Sequence, residues 1–136
     1  MALSINRVIS DAASTACFEI VNDTGGESAT IITPADLSGA DASLDQSVFI
    51  KRVVATVANA DPAEATFVTL AWGDGTEFLH LPLGHTDIDI GFGIGNVGAD
   101  ANVTVDASDG ALFTLRIFVT KNKGFPRSMG HSMSRP

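Results

Sequence analysis

The chain contains one cysteine, one tryptophan, no tyrosine and only eight lysines and arginines among its 136 residues. A single cysteine excludes an intrachain disulfide, and Cys17, between Ala16 and Phe18, is predicted to be a small buried residue of a strand instead of a reactive thiol. No segment approaches the ~20 apolar residues that span a bilayer, and the N-terminus lacks the apolar run of a signal peptide. The sequence therefore predicts synthesis in a reducing cytoplasm and no membrane partner.

The chain has a hydrophobic content of 45%, and 13 glycines are spread along it. With only 18% charged residues, the composition is that of a folded protein and not of a disordered chain. A chain of this length is expected to form one domain that buries roughly two thirds of the surface exposed by its unfolded state. Many glycines between short apolar segments favour a β-rich fold with tight turns.

Charge is distributed unevenly along the sequence. Residues 1–120 carry all 16 acidic residues and four basic ones, a formal charge of −12, whereas residues 121–136 carry four basic residues and no acid. An acidic body repels nucleic acid over most of its surface, so nucleic acid is not expected as a partner. The basic tail is the one segment expected to attract phosphate groups or an acidic protein surface.

Short segments in which apolar and polar residues alternate, separated by Gly, Pro, Asn and Asp, predict about eight strands. We predict hairpins over residues 16–33 and 47–77 and around Asp109-Gly110, because each contains turn-forming residues between two strand-like segments. The 47–77 hairpin is predicted to be the centre of a sheet, with Trp72 as a core residue between two sheets.

The predicted fold class is therefore all-β, a single antiparallel β-sandwich or jelly roll. Residues 1–15 are expected to form an N-terminal arm or an edge strand, and residues 16–121 the body of the sandwich. Residues 122–136 have no periodicity and are expected to form an extended basic C-terminal arm.

The alternation also predicts which side chains face the core. Ile88, Ile90 and Phe92 alternate with polar residues or glycine and are expected to point inward. Leu37 and Leu44 are expected to anchor the irregular connection in which they lie. The last strand is the most apolar, and its predicted core residues are Phe113, Leu115, Ile117 and Val119.

Two pairs of polar residues are candidates for chemistry. Asp87 and Asp89 lie two residues apart in a strand and would suit paired carboxylates or a cation, although acids on the wet face of a strand are the simpler explanation. His80 and His85 would have to meet in space to bind a metal, and two ligands make a poor site, so they are better explained, like His131, as surface histidines. The sequence therefore assigns no metal-binding residue and no cofactor.

Two glycine-rich segments match binding loops only in part. GDGTE at 73–77 lacks the other oxygen ligands and the ~12-residue spacing of a calcium loop, so a turn is predicted there. GFGIGNVG at 91–98 matches G-x-G-x-x-G, but a strand-like segment follows it where a dinucleotide site needs a helix. No G-x-S-x-G segment is present and no base lies near Cys17 in the sequence, so the chain is not predicted to be an enzyme.

The order of segments along the chain resembles a family of small phage virion structural proteins. In order, the segments are ITPADLSGAD, SVFIKRVVATV, VTLAWGDGT with a single tryptophan closing a strand, FLHLPLGHTDIDIGF, IGNVGAD and the final strand ALFTLRIFVTK. The resemblance spans residues 16–121 and rests on order and spacing. It implies a β-sandwich body attached to a capsid or a tail, and it supplies no catalytic residues.

Together with the basic tail, the resemblance implies a capsid decoration (cement) protein that binds the major capsid protein and is a homo-oligomer in the assembled particle. The expected location is the virion, after synthesis in the host cytoplasm. A tail, collar or adaptor component stays open as an alternative, as does a carbohydrate-binding module, for which aromatic stacking platforms are scarce. The residues predicted to bind the partner are those of the C-terminal arm: Lys121, Lys123, Phe125, Arg127, Met129, Met133 and Arg135.

Overall fold

The computed structural model describes residues 5–23, 27–41, 43–59, 61, 65–95, 101–108, 110–122 and 124–125. In these residues the chain forms nine strands and one 3-10 turn, Pro34–Asp36. The strands are β1 (Ile5–Asp11), β2 (Thr15–Asn22), β3 (Glu27–Ile32), β4 (Val48–Asn59), β5 (Val68–Trp72), β6 (Glu77–Leu81), β7 (Gly84–Gly95), β8 (Val103–Ala107) and β9 (Ala111–Lys121).

The strands form two antiparallel sheets that pack against each other. One sheet has five strands in the order β1-β2-β9-β4-β7, and the other has four in the order β3-β8-β5-β6. From β2 onward the chain passes to the facing sheet at every connection except that between β5 and β6. This alternation gives the strand order of a jelly roll, with β1 added at one edge. The all-β sandwich prediction is confirmed.

The three predicted hairpins are wrong, because in each case the second strand lies in the facing sheet. This applies to β2 and β3 in 16–33, to β4 and β5 in 47–77, and to β8 and β9 around Asp109-Gly110. Turn-forming residues reverse the chain direction, but they do not determine whether the next strand pairs with the previous one or crosses the core. Consecutive strands do pair in β1–β2 and in β5–β6.

The edges of the five-stranded sheet are β1 and β7. β1 pairs with β2 from Ile5 opposite Val21 to Asp11 opposite Ala16, with an irregularity after Val8. Ile5–Asp11 therefore forms an edge strand, which is one of the two alternatives predicted for the N-terminal segment. In the part of the chain that the structure describes, neither β1 nor β7 has a strand on its outer side.

Both sheets turn their apolar faces toward a shared core. As predicted, the buried residues of β9 include Phe113, Leu115, Ile117 and Val119. In the other sheet Trp72 is 3% exposed, and its ring centroid lies 4.7 Å from that of Phe78. Trp72 is thus a core residue, as predicted, although its strand faces β4 across the core and does not pair with it.

The connection from β3 to β4 contains both predicted anchors, but only one of them is buried. Leu37 is 5% exposed and belongs to the core, whereas Leu44 is 47% exposed. The prediction for Leu44 is wrong: the Leu44 amide donates to the Asp41 carbonyl at 2.9 Å, and the leucine side chain lies on the surface.

β7 departs from simple alternation where it passes Lys51 of β4. Arg52 pairs with Asp89 and Ile50 pairs with Ile94, so the single residue Lys51 lies opposite residues 90–93. This bulge corrects the prediction for Phe92, which was expected to point inward and is instead 98% exposed. Ile88 and Ile90, also predicted inward, are half-buried.

Leu115→Ala should lower the free energy of unfolding by about 2–5 kcal/mol, because truncating a fully buried leucine leaves a cavity. The matched control is Leu83→Ala, which removes a leucine that is 58% exposed and should change stability by less than about 0.5 kcal/mol. Urea unfolding followed by the fluorescence of Trp72 measures both variants. Equal losses in the two variants would contradict the assigned core.

Candidate functional site

The C-terminal end of the body is fastened by the side chain of Lys121, the last residue of β9. Its ammonium Nζ donates to Asp11 Oδ1 at 2.5 Å, to the Ala12 carbonyl at 2.6 Å and to the Ser38 carbonyl at 2.6 Å. An ammonium has three donors, and all three are used. The side chain is fully buried, with a relative exposure of 0%. We call this arrangement of Lys121, Asp11, Ala12 and Ser38 the Lys121 clasp.

Asn122, Gly124 and Phe125, which follow Lys121, also contact the body. Phe125 is 0% exposed, and Lys121 Nζ lies 5.4 Å from the centroid of its ring, a cation–π distance. Between them Gly124 adopts φ +82, and a Cβ at this position would lie 2.6 Å from the Asp45 carbonyl oxygen. The Gly124 carbonyl accepts a hydrogen bond from the Asp41 amide at 2.9 Å. A glycine is therefore required for the close approach of this segment to the loop before β4.

These contacts correct the predicted partner-binding set at two of its seven positions. Lys121 and Phe125 are buried inside the body, so the prediction that they belong to a free arm is wrong. The local sequence suggested an arm because the acceptor of Lys121, Asp11, lies 110 residues away in the chain. Phe125, which lies beyond the predicted body of residues 16–121, is buried. The other predicted residues, Lys123, Arg127, Met129, Met133 and Arg135, lie outside the described residues.

The outer face of the five-stranded sheet carries a row of charges across its strands. Arg7 on β1, Glu19 on β2 and Arg116 on β9 lie directly opposite one another. Arg7 Nε donates to Glu19 Oε1 at 2.8 Å, and Arg116 donates to Glu19 Oε2 at 3.3 Å. The hydrogen bond from Arg7, with a smaller contribution from Arg116, lowers the pKa of Glu19 below its usual value.

The same face has a second ion pair at its other edge. Arg52 donates to both carboxylate oxygens of Asp87, at 2.9 and 2.7 Å, which is the bidentate geometry that arginine favours. This hydrogen bonding lowers the pKa of Asp87 and raises that of Arg52. The guanidinium carbon lies 5.7 Å from the ring centroid of Phe118. Of the pair Asp87 and Asp89, Asp87 is therefore already neutralised by an arginine, as expected of an acid on the wet face of a strand.

The two sheets differ in charge. The basic residues of the body, Arg7, Lys51, Arg52, Arg116 and Lys121, all lie on the five-stranded sheet, and the strands of the four-stranded sheet contain no lysine or arginine. Two cross-strand rows run over the outer face of the four-stranded sheet: Ser28, Asp106, Thr69 and His80, and Thr30, Thr104, Ala71 and Glu77. One outer face is therefore ionic, and the other is rich in small hydroxyl residues.

The histidine pair considered as metal ligands is divided between the sheets. His80 lies on β6, where its Nδ1 is 3.2 Å from Thr69 Oγ1, and His85 lies on β7, where its Nδ1 is 3.3 Å from Thr56 Oγ1. His131 lies outside the described residues. Within the described part of the chain, no three His, Cys, Asp or Glu side chains are grouped so that they could hold a metal ion.

The remaining sequence candidates have structural explanations. Cys17 is buried in β2, as predicted, and burial raises the pKa of its thiol, which disfavours the reactive thiolate. Asp74, in the GDGTE segment, accepts a hydrogen bond from the Thr76 amide at 2.9 Å and shapes the β5–β6 turn. Of the glycine-rich segment, residues 91–95 continue β7 and residues 96–100 are outside the described ranges.

Comparisons with protein-family models, with curated proteins and with solved structures found no match to this chain. None of the helices in the described ranges is long and apolar enough to cross a membrane. The fold, the fastened C-terminal segment and the two unlike outer faces are therefore the features from which a function can be inferred.

Lys121→Met should destabilise the protein by about 1–3 kcal/mol, because Asp11 Oδ1 and two carbonyls lose the ammonium that donates to them, while Asp11 Oδ2 keeps its hydrogen bond from the Ser38 amide. Arg7→Met is the control, since Arg7 is also ion-paired but its side chain is 64% exposed, and it should cost less than about 1 kcal/mol. Chemical denaturation monitored by circular dichroism measures both. A loss of less than about 1 kcal/mol for Lys121→Met would contradict the clasp.

The ion pairs of the five-stranded sheet should make stability depend on pH in the acidic range. Because the pKa of Glu19 is lower in the folded than in the unfolded state, its contribution is complete above the unfolded value of about 4.3 and is lost as the pH falls through the folded value. Glu19→Gln should therefore melt at a lower temperature than the natural chain at pH ~7 and lose less stability on acidification. Thermal unfolding between pH ~7 and ~2 tests this, and an unchanged acid dependence would refute it.

Proposed function

We propose that this chain is a virion structural protein, most directly a capsid decoration protein that binds the major capsid protein and stabilises the phage head. The observation that carries the proposal is that the chain is held to the body at Lys121 and Phe125. The Lys121 clasp and the buried Phe125 hold the end of the body, so residues 126–136 begin at a fixed place on a jelly roll, a fold that is frequent in viral capsid domains. Proteins with this fold have many functions, so the ends of the chain, and not the fold, support this one.

The composition of the terminal segment suits contact with another protein. Residues 126–136 contain Arg127, Met129, Met133 and Arg135 and no acid. Eleven residues in extended form reach up to ~40 Å, enough to contact a neighbouring subunit. Methionine and arginine are enriched in the cores of protein interfaces. In this proposal the two methionines supply apolar contacts, and the two arginines select an acidic surface of the capsid shell.

The N-terminal edge offers a second contact. β1 is the outermost strand of the five-stranded sheet, and it exposes Ile5, Val8 and Ile9 by 37%, 49% and 44%. An exposed apolar edge strand is a site where another chain adds by strand pairing or by side-chain contact. A shell protein or a second copy that covers β1 would bury these residues.

A tail, collar or adaptor component is the alternative from the same class. It would use the same arm and the same edge but a different number of copies. A coat is present in hundreds of copies, whereas a ring of closed symmetry has about 6–18. Quantitative mass spectrometry of purified particles gives this number.

A carbohydrate-binding module belongs to a different class, and jelly rolls occur in lectins too. Against this alternative, Trp72 is 3% exposed in the core and the chain has no tyrosine. The best ring for stacking on a sugar is therefore not available at the surface. Binding of the folded protein to sugars on a glycan array would support this alternative. No catalytic activity and no cofactor form part of the proposal.

The full-length chain should bind phage heads that lack it, and Arg127→Ser with Arg135→Ser should weaken this binding at least ~10-fold by removing the charges of the arm. Arg116→Ser, which removes an arginine of the body whose side chain is 54% exposed, is the control and should bind as the natural chain does. Co-sedimentation with heads at several protein concentrations measures the three affinities. If the arm variant binds as tightly as the control, the arm does not carry the docking.

A further inference from the structure

The bulge of β7 forms a protrusion whose backbone has a defined conformation. Residues 90–93 lie opposite the single residue Lys51, and of these four Gly91 and Phe92 are exposed whereas Ile90 packs against the core. The Lys51 ammonium donates a hydrogen bond to the Gly91 carbonyl at 2.6 Å. Gly93 adopts φ +83, and a Cβ at this position would lie 2.9 Å from both Lys51 Cδ and Phe49 Cβ. Only glycine fits this backbone and this space, so the protrusion has a defined shape.

The protrusion carries the most exposed large hydrophobic side chain in the described part of the chain. Phe92 is 98% exposed, compared with 58% for Leu83 and 46% for Phe67. Scattered exposed apolar residues are ordinary on protein surfaces, but a phenyl ring held entirely in solvent by a shaped backbone is not. Such a ring resembles the aromatic anchors that fill pockets in protein interfaces.

A cavity of suitable size lies beside the protrusion, on the outer face of the five-stranded sheet. It has a volume of about 370 Å³, and its lining includes Ser10, Ala16, Cys17, Lys51, Phe118 and Val119. This cavity is half-open, and its volume exceeds the ~150 Å³ of an enclosed apolar cavity that holds a benzene molecule, so it has room for a phenyl ring. No acidic side chain lines the cavity, and Lys51 contributes a cation that complements the negative face of an aromatic ring.

We propose that Phe92 of one copy inserts into this cavity of a second copy of the chain, and that the contact is reciprocal. Lys51 belongs to both features, because it holds the protrusion through Gly91 and lines the cavity. Since the ring and the cavity are neighbours on one surface, a two-fold axis passing between them forms both contacts at once. Within one chain the ring does not enter the cavity, because it is 98% exposed. The pairing needs no capsid and is therefore independent of the proposed function.

The first experiment measures self-association of the full-length chain by sedimentation equilibrium over a wide range of concentrations. The natural chain should form dimers, and Phe92→Ala should raise the dimer dissociation constant at least ~30-fold, the loss of an aromatic interface anchor. Phe67→Ala is the matched control, since Phe67 is also exposed but lies away from the cavity lining. It should alter the constant less than ~3-fold.

Circular dichroism and thermal unfolding establish that each variant is folded. A natural chain that stays monomeric up to millimolar concentration overturns the proposal. So does a Phe92→Ala variant that dimerises as the natural chain does, because the interface would then lie elsewhere.

The second experiment tests whether the ring occupies this cavity in the dimer. Cys17 lines the cavity and is the only cysteine, so its alkylation with N-ethylmaleimide reports the access to one position. Cys17 is 8% exposed and the pKa of its thiol is raised by burial, so alkylation is slow and long incubations near pH ~8 are needed. The rate should fall at least ~5-fold as the concentration is raised through the dimer range, because the ring of Phe92 shields the thiol. In Phe92→Ala the rate should not depend on protein concentration. Equal rates in monomer and dimer of the natural chain would overturn the assignment of the cavity.

Discussion

The structure depends on how the last strand is placed and held. β9 lies between β2 and β4, pairing with β4 from Ala111 to Lys121 and with β2 from Phe113 to Thr120, so the five-stranded sheet has no centre without it. The Lys121 clasp fixes the end of this strand to the β1–β2 turn and to the segment after the 3-10 turn. A buried ammonium is tolerated only when oxygens replace its water, and three do so here. One side chain thereby joins the beginning, the first third and the end of the chain.

The sequence was sufficient to predict the all-β class and much of the core, because those depend on alternation within a strand. Leu115 and Ile117 could be assigned to the core from their own segment alone. Strand pairing could not be predicted, since it depends on which sheet each connection enters, and a turn such as that at Asp109-Gly110 occurs equally in a hairpin and in a crossing. The alternation of its own segment predicts that Phe92 points inward. The side chain is exposed instead, because the bulge opposite Lys51 is determined by two strands together.

The candidate site, too, could be predicted only where it depends on local sequence. The composition shows that the last residues of the sequence are basic, but it does not show that Lys121 and Phe125 belong to the body, because their partners lie in distant parts of the chain. The relevant signal was present at Asp11, an acid at the end of an apolar segment, but nothing local connects it to a lysine 110 residues later. The charge asymmetry between the two outer faces also appears only when the strands are ordered into sheets. Both features require long-range pairing, which a single sequence does not reveal.

The central position of β9 has a consequence for biosynthesis. A ribosome makes the chain from its N-terminus, so β2 and β4 are translated long before the strand that must lie between them. Until residues 111–121 have been made, the edges of β2 and β4 that face β9 have no partner in this sheet. The five-stranded sheet can therefore close only after β9 has been translated, and a product that terminates before β9 keeps two strand edges open to pairing with other chains.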